Sequence, residues 1–224
     1  GDINLTASSN VLGQTIPFVG DYGISTNPES FASFGFRSYY ADKRRGAVLR
    51  LSRDGLTNIA YKGMRDWFSD NMKQPTTILG NYDERKDNYN ITLIGSSTNT
   101  LSFSELVNGW TSFKSFIPES ALTLNNTYYS FYAGDLWEHN KNSLRNKFYN
   151  TQYFSTIKLI LNDEPSVIKN FKTLNYEGTT SRLYKNTQRG YAAGTDTTLE
   201  KEGWYCNSIT TGEQDGDVPY FINK

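Results

Sequence analysis

Few residues in this chain have the types and spacing that could do chemistry, and each carries a plainer reading beside it. The one histidine, His139, lies in Leu136-Trp137-Glu138-His139-Asn140. Without a second imidazole there is no multi-His metal site. No Gly-x-Ser-x-Gly elbow and no Gly-x-x-x-x-Gly-Lys phosphate loop supplies a partner, so a strand end is its expected place. The oxygens of Asp83, Glu84, Asp87, Asn88 and Asn90 are spaced like those of a calcium loop. That run lacks the Gly and terminal Glu of the EF-hand pattern, and Arg85 and Lys86 offset its charge, so a solvated hairpin turn is expected. Asp215-Gly216-Asp217 reads the same way. Glu119 and Asp135 are the one carboxylate pair worth testing for glycoside hydrolysis, although Glu119 follows Pro118 in an apparent turn. The single Cys206, beside Trp204 and Tyr205, rules out a disulfide framework and a Cys-cluster metal site, and is expected to be a small core residue.

The basic turn Lys43-Arg44-Arg45, with Arg37, Arg50 and Arg53 near it, holds planar donors suited to phosphate or carboxylate. Strand alternation puts Ala47, Leu49 and Leu51 on one face and Val48, Arg50 and Ser52 on the other. Arg50 is therefore expected to face solvent or to form a salt bridge at a subunit contact. Exposed Tyr and Trp in loops could stack on sugars or on partner proteins. With 16 Tyr in the chain, most must instead be cross-strand packing partners.

Positioning these residues calls for a sizeable β core. The 224 residues suffice for one large all-β domain or two small ones. Aromatics make up 15% of the chain, which favours pleated, half-buried surfaces. Lys plus Arg and Asp plus Glu each number 23, so no long-range attraction to nucleic acid or to an anionic membrane follows. No apolar run approaches the roughly 20 residues that span a bilayer. The opening Gly1-Asp2-Ile3 and a close inside an expected strand suggest a piece cut from a longer polypeptide.

A strand-turn-strand unit recurs along the chain: Tyr39 to Leu51, Asn81 to Leu93 and Thr127 to Trp137. Its second-strand positions Leu49, Leu93 and Leu136 lie 44 and then 43 residues apart. Such a period is the signature of stacked β-sheet blades. The expected hairpins are Phe34 to Ala41 with Gly46 to Ser52, Thr77 to Tyr82 with Tyr89 to Ile94, and Thr127 to Ala133 with Leu136 to Asn140. One amphipathic helix is expected over Asn58 to Met72, with Met64, Trp67, Phe68 and Met72 on its apolar face and Thr57 or Asn58 as its cap. Leu101 to Phe116 reads as strand or irregular structure. Tyr153 to Asn162 and Ser166 to Glu177 read as a further strand pair, and Trp204 to Thr210 as a late strand. Polar loops are expected at 95–100, 141–150 and 178–198. A short strand is expected near Thr15 to Val19, within an otherwise extended segment 1–35.

The stretch from Asn27-Pro28-Glu29-Ser30-Phe31 through Arg50-Leu51-Ser52-Arg53-Asp54-Gly55-Leu56 resembles a segment of large virion structural proteins of tailed bacteriophages, as in marine large-genome phages. Phe113-Lys114-Ser115-Phe116-Ile117-Pro118-Glu119-Ser120, Leu124-Asn125-Asn126 and Leu136-Trp137-Glu138-His139-Asn140 are similar to segments of the same group and of crAss-like phage tail proteins. Asn170 to Gly178 and Gly203-Trp204-Tyr205 extend the likeness. The resemblance implies a subunit of the tail, tail tip or baseplate in a multimeric assembly, folded as part of a β-propeller-like domain, and it brings no catalytic motif.

The reading that follows is all-β: repeated antiparallel hairpins or blades, β-propeller-like, with one short amphipathic helix. An extended segment, 1–35, precedes a β-repeat region, 36–224. The expected role is structural and not enzymatic, in the tail region of a virion, with no cofactor and no bound metal. Other virion proteins and copies of the chain itself are the expected partners, with no nucleic acid and no membrane insertion. Arg44, Arg45, Arg50 and Trp67 are the candidate interface residues. The alternative is a module that recognises a host-surface glycan.

Overall fold

The structure, a computed structural model, describes residues 17–18, 20–24, 26–169, 208–210 and 215–217. The chain divides into two compact units, Gly1–Lys158 and Leu159–Lys224.

The first unit is built from antiparallel meanders. The first sheet runs β1 (Ala32–Phe34), β2 (Arg37–Asp42), β3 (Ala47–Ser52) and β4 (Gly55–Asn58) in chain order. The second repeats that plan with β5 (Thr77–Asp83), β6 (Asn88–Ile94), β7 (Asn99–Ser104) and β8 (Gly109–Lys114). The third has β9 (Ser120–Leu124), β10 (Thr127–Tyr132) and β11 (Asp135–Glu138). A short hairpin follows, β12 (Lys147–Phe148) with β13 (Thr151–Gln152). In the second unit β14 (Ser208–Thr210) pairs with β15 (Asp215–Asp217). The turns follow local chemistry. Ala133 and Gly134, and again Tyr149 and Asn150, are consecutive residues at positive φ, which suits a tight two-residue hairpin turn.

All three expected hairpins form. The Leu spacing marks less than it suggested, because Leu49 lies in the third strand of its sheet and Leu93 in the second of its own. Leu49 and Leu93 are buried, whereas Leu136 is 58% exposed. The expected single helix is a correction too. Residues 55–58 extend the first sheet as β4, a 3-10 turn covers Ile59–Tyr61, and the α-helix α1 spans only Arg65–Asn71. Gly63, at φ +82°, interrupts the helical path between them. Asn58 does cap, but caps the 3-10 turn, accepting the Ala60 N–H at 3.1 Å. The apolar face holds: Phe68 and Met72 are fully buried, and Met64 and Trp67 pack against the same core.

Leu101 to Phe116 resolves into β7 and β8 with a bulge between Ser102 and Phe103. The loop expected at 141–150 contains β12, and residues 95–98 do link β6 to β7. The strand pair expected over 153–177 does not form within 153–169, which carry no strand; the rest of that pair lies outside the described residues. Of the late strand, Ser208–Thr210 is described; the loop at 178–198 and Cys206 lie outside. Pro17 and Phe18 are not in a strand, and the remainder of that expected element is outside as well.

Strand β5 lies against β1 and β2 on one side and against β9 on the other, so the second sheet sits between the first and the third. Four aromatic rings join the first two sheets: Phe34 stacks on Tyr82 (4.8 Å), Tyr82 on Tyr39 (5.5 Å) and Tyr39 on Tyr89 (4.8 Å). Such pairs add about 0.5–1.5 kcal/mol each beyond their buried area. The 3-10 turn Pro28–Ser30 closes one end of this ladder. Ser30 is fully buried, its hydroxyl accepts the Ala41 N–H (3.0 Å), and its carbonyl accepts from Tyr89 (2.7 Å).

Gly80 on β5 makes that approach possible, since a Cβ there would stand 1.9 Å from the Ser30 carbonyl oxygen. Gly80→Ala is therefore expected to lower stability by about 2–3 kcal/mol, read from the urea midpoint at unchanged m-value. A loss below about 0.5 kcal/mol, the ordinary surface range, would contradict this packing.

Candidate functional site

The chemistry of the first unit gathers at two sheet boundaries and one surface groove. At the first boundary the centre is Glu105, which follows β7 and whose side chain is 4% exposed. Its carboxylate accepts from the Tyr39 hydroxyl (2.6 Å) and from Arg50 Nη1 (2.9 Å), with Arg37 Nε at 3.6 Å. Arg37 also faces Asp87 at 3.9 Å, and Asp87 accepts from the Tyr82 hydroxyl. Burial and the bond to Glu105 push the Tyr39 phenol far above its usual range. Buried carboxylates persist where charged donors meet them, and here all three donors come from the first sheet.

The second boundary encloses a cavity of about 30 Å³, lined among others by Asp83, Lys86, Lys114 and His139. That volume suits a water molecule. Phe116, Tyr128 and Phe148 surround the imidazole edge-on or tilted. Burial, with the Lys86 cation nearby, lowers His139 from 6.5 to about 4. Burial raises the Asp83 carboxyl, which Lys86 partly offsets, and burial with the Lys86 charge lowers Lys114. The Ser130 hydroxyl lies 2.7 Å from His139 Nε2 and 2.8 Å from the Tyr149 hydroxyl. Ser and His thus meet, which the sequence did not suggest. Ser130 is fully buried, however, and no carboxylate among the described residues hydrogen-bonds the imidazole, so the pair lacks the access and orientation of a nucleophile and its base.

The sequence candidates scatter. Arg44 is exposed and lines an open groove of about 260 Å³ with Lys43, Lys73 and Thr26. Arg45 folds back on its own turn, its guanidinium 3.1 Å from the Asp42 carboxylate. Arg50 is salt-bridged as expected, but inside the chain, to Glu105. Trp67 packs edge-on against Phe68 (5.1 Å) and Phe113 (5.3 Å). Arg53 lies over the exposed Phe36 ring at 4.0 Å. Glu119 accepts the Ala133 N–H (3.0 Å) at the turn that leads into Asp135, and neither carboxylate lines the two cavities. Of the calcium-like oxygens, Asp83 accepts the Lys86 N–H (3.3 Å) in the β5–β6 turn, whereas buried Asn90 accepts from Ser102 across β6 and β7. Asp215–Asp217 is a strand where a turn was expected. No group of three or more His, Cys, Asp or Glu gathers as a metal site among the described residues, and no helix among them is long and apolar enough to cross a membrane.

Glu105, Ser130 and Tyr149 went unnoticed in the sequence. For Glu105 a signal existed: Arg50 shares its strand face with Val48, and a cation on a buried face requires an anion opposite. The third sheet adds a feature of another kind. Cross-strand register puts Leu122, Phe131 and Leu136 on one face with Leu124, and all four are exposed.

Stacked meander sheets with polar groups spent on one another define an all-β domain that leaves an apolar face open on its third sheet. The family model of the Crassvirus muzzle protein matches residues 19–134, and that of the Crassvirus muzzle protein C-terminal domain matches 143–211. The chain belongs to the Crassvirus muzzle protein family, and the resemblance to virion structural proteins of crAss-like phages holds. No curated protein sequence matches it.

Two outcomes are expected. Glu105→Gln keeps the shape but strips the charge that Arg37 and Arg50 face, and should cost about 2–4 kcal/mol in urea unfolding at pH 7; a loss under about 0.5 kcal/mol would contradict the role given to Glu105. His139, with its folded pKa below the unfolded one, contributes stability that is complete above pH 6.5 and is lost as pH falls toward 4. His139→Gln should remove up to about 3 kcal/mol of that pH dependence, whereas parallel profiles would contradict the burial.

Proposed function

We propose that this chain is a structural subunit of the tail, tail tip or baseplate of a crAss-like phage, acting through subunit contacts with other virion proteins and with copies of itself. The observation that carries the reading, beside the family match, is the uncovered apolar face of the third sheet. Each preceding sheet boundary is packed, and contiguous exposed apolar surface marks an interaction site. Strand β5 lying between β1 and β9 supports a blade-like, β-propeller-like arrangement of the first unit's sheets, to which the segment 1–35 contributes β1. A non-enzymatic role is in keeping with a Ser130–His139 pair in which Ser130 is fully buried and with Glu119 engaged at the turn before Asp135. Exposed Arg44 and the basic groove would set partner choice and register more than affinity. The glycan-binding alternative gains no support from the two cavities, one too small for a sugar ring and one without aromatic residues.

The test is electron microscopy of purified phage particles labelled with an antibody against this chain. Label at a fixed position on the tail is expected. Particles that stay unlabelled, intact or partly disrupted, with the protein confined to infected-cell lysate, would overturn the proposal.

A further inference from the structure

We propose that the run Phe154–Leu161 of one copy of this chain adds as a fourth strand along β11 of a second copy. The inference rests on the assembly reading above and names the surface it uses.

The first two sheets are four-stranded meanders, and among the described residues the third has three strands. Its last strand, β11, pairs with β10 on one side, and its other edge is unpaired among the described residues. Open strand edges are templates for pairing with another chain. On that edge Leu136, 58% exposed, continues the apolar row of Phe131.

A matching strand exists on the same chain. Tyr153-Phe154-Ser155-Thr156-Ile157-Lys158-Leu159-Ile160-Leu161 is rich in β-branched and aromatic residues, yet none of it is in a strand. Phe154 is 89% and Ile160 88% exposed, and Ile157, Leu159 and Leu161 are also well exposed. As a strand it would carry Ile157, Leu159 and Leu161 on one face, able to extend the Leu122–Phe131–Leu136 row. Lys158 would then lie on the opposite face, the one that carries Asp135.

The occupant is a second copy because within one chain the run is unpaired and its start is held against the other face of the third sheet, where Tyr149 packs on Tyr132 and Trp137. The Tyr153 N–H donates to the Asn146 carbonyl (2.9 Å), and Asn146 donates to Ser155. These bonds continue the β12–β13 hairpin, whose Tyr149 stacks on Tyr132 at 4.2 Å. Pairing with another copy leaves them intact. Each chain then offers one edge and one strand, a head-to-tail contact that propagates into a ring or a filament.

The test uses full-length chains in a Cys206→Ser background, one carrying Leu136→Cys and the other Ile157→Cys, both at exposed positions, mixed and treated with a short bismaleimide linker. A covalent heterodimer is expected, reduced at least tenfold when Thr156→Pro removes a ladder donor from the Ile157→Cys chain. A link formed only within a chain carrying both cysteines would mean pairing in cis and would overturn the proposal. No link at all would overturn it equally, as would a heterodimer indifferent to Thr156→Pro. Any of these failures alongside labelled particles removes the strand exchange alone; unlabelled particles remove the assembly reading beneath it.

Discussion

The first unit depends on one electrostatic constraint, the burial of the Glu105 carboxylate between two sheets. An ionised carboxylate taken out of water costs several kcal/mol unless donors replace its hydration. The donors are Tyr39 and Arg37 on β2 and Arg50 on β3, while Glu105 is fixed by its place after β7. Satisfying that charge therefore sets the register of the first sheet against the second. The ladder Phe34, Tyr82, Tyr39 and Tyr89 stacks in that register, and Gly80 admits the Ser30 turn there. Hydrophobic burial supplies most of the favourable free energy; the carboxylate supplies the alignment.

The second boundary solves the same problem with weaker groups. Tyr128 donates to Asn81, and the Thr123 hydroxyl donates to the Tyr82 carbonyl at 2.6 Å. His139 stays neutral in its aromatic surround and shares the Ser130 hydroxyl with Tyr149. Among the described residues no salt bridge crosses this boundary, and the third sheet is tied to its neighbour by neutral hydrogen bonds and aromatic contacts. Beyond it lies an apolar face with no cover among the described residues. The first unit thus has one boundary aligned by charge and one open apolar face.

What the sequence disclosed was local. Hairpins announced themselves because turn chemistry and period-2 alternation act within about ten residues, as in Ala133-Gly134 between β10 and β11. The apolar stripe of Met64, Trp67, Phe68 and Met72 was legible, although Gly63 at positive φ cut the helix short. Glu105 was hidden because its donors lie 55 and 66 residues away, and a Glu in Ser104-Glu105-Leu106 looks like any surface turn. Tyr153 to Asn162 misled for the opposite reason. Its composition is that of a strand, but a strand also needs an edge to pair with, and composition does not say where that edge is.

The most direct measurement of this account is native-state hydrogen exchange across the first unit, read amide by amide. If the Glu105 charge couples the first two sheets, the ladder amides of β2, β3, β6 and β7 will exchange with one common opening free energy, and substituting Glu105 will lower all of them together. Opening free energies that separate by sheet, by more than about 2 kcal/mol and with only β7 responding to the substitution, would show that the sheets are independently stable and that the carboxylate aligns nothing.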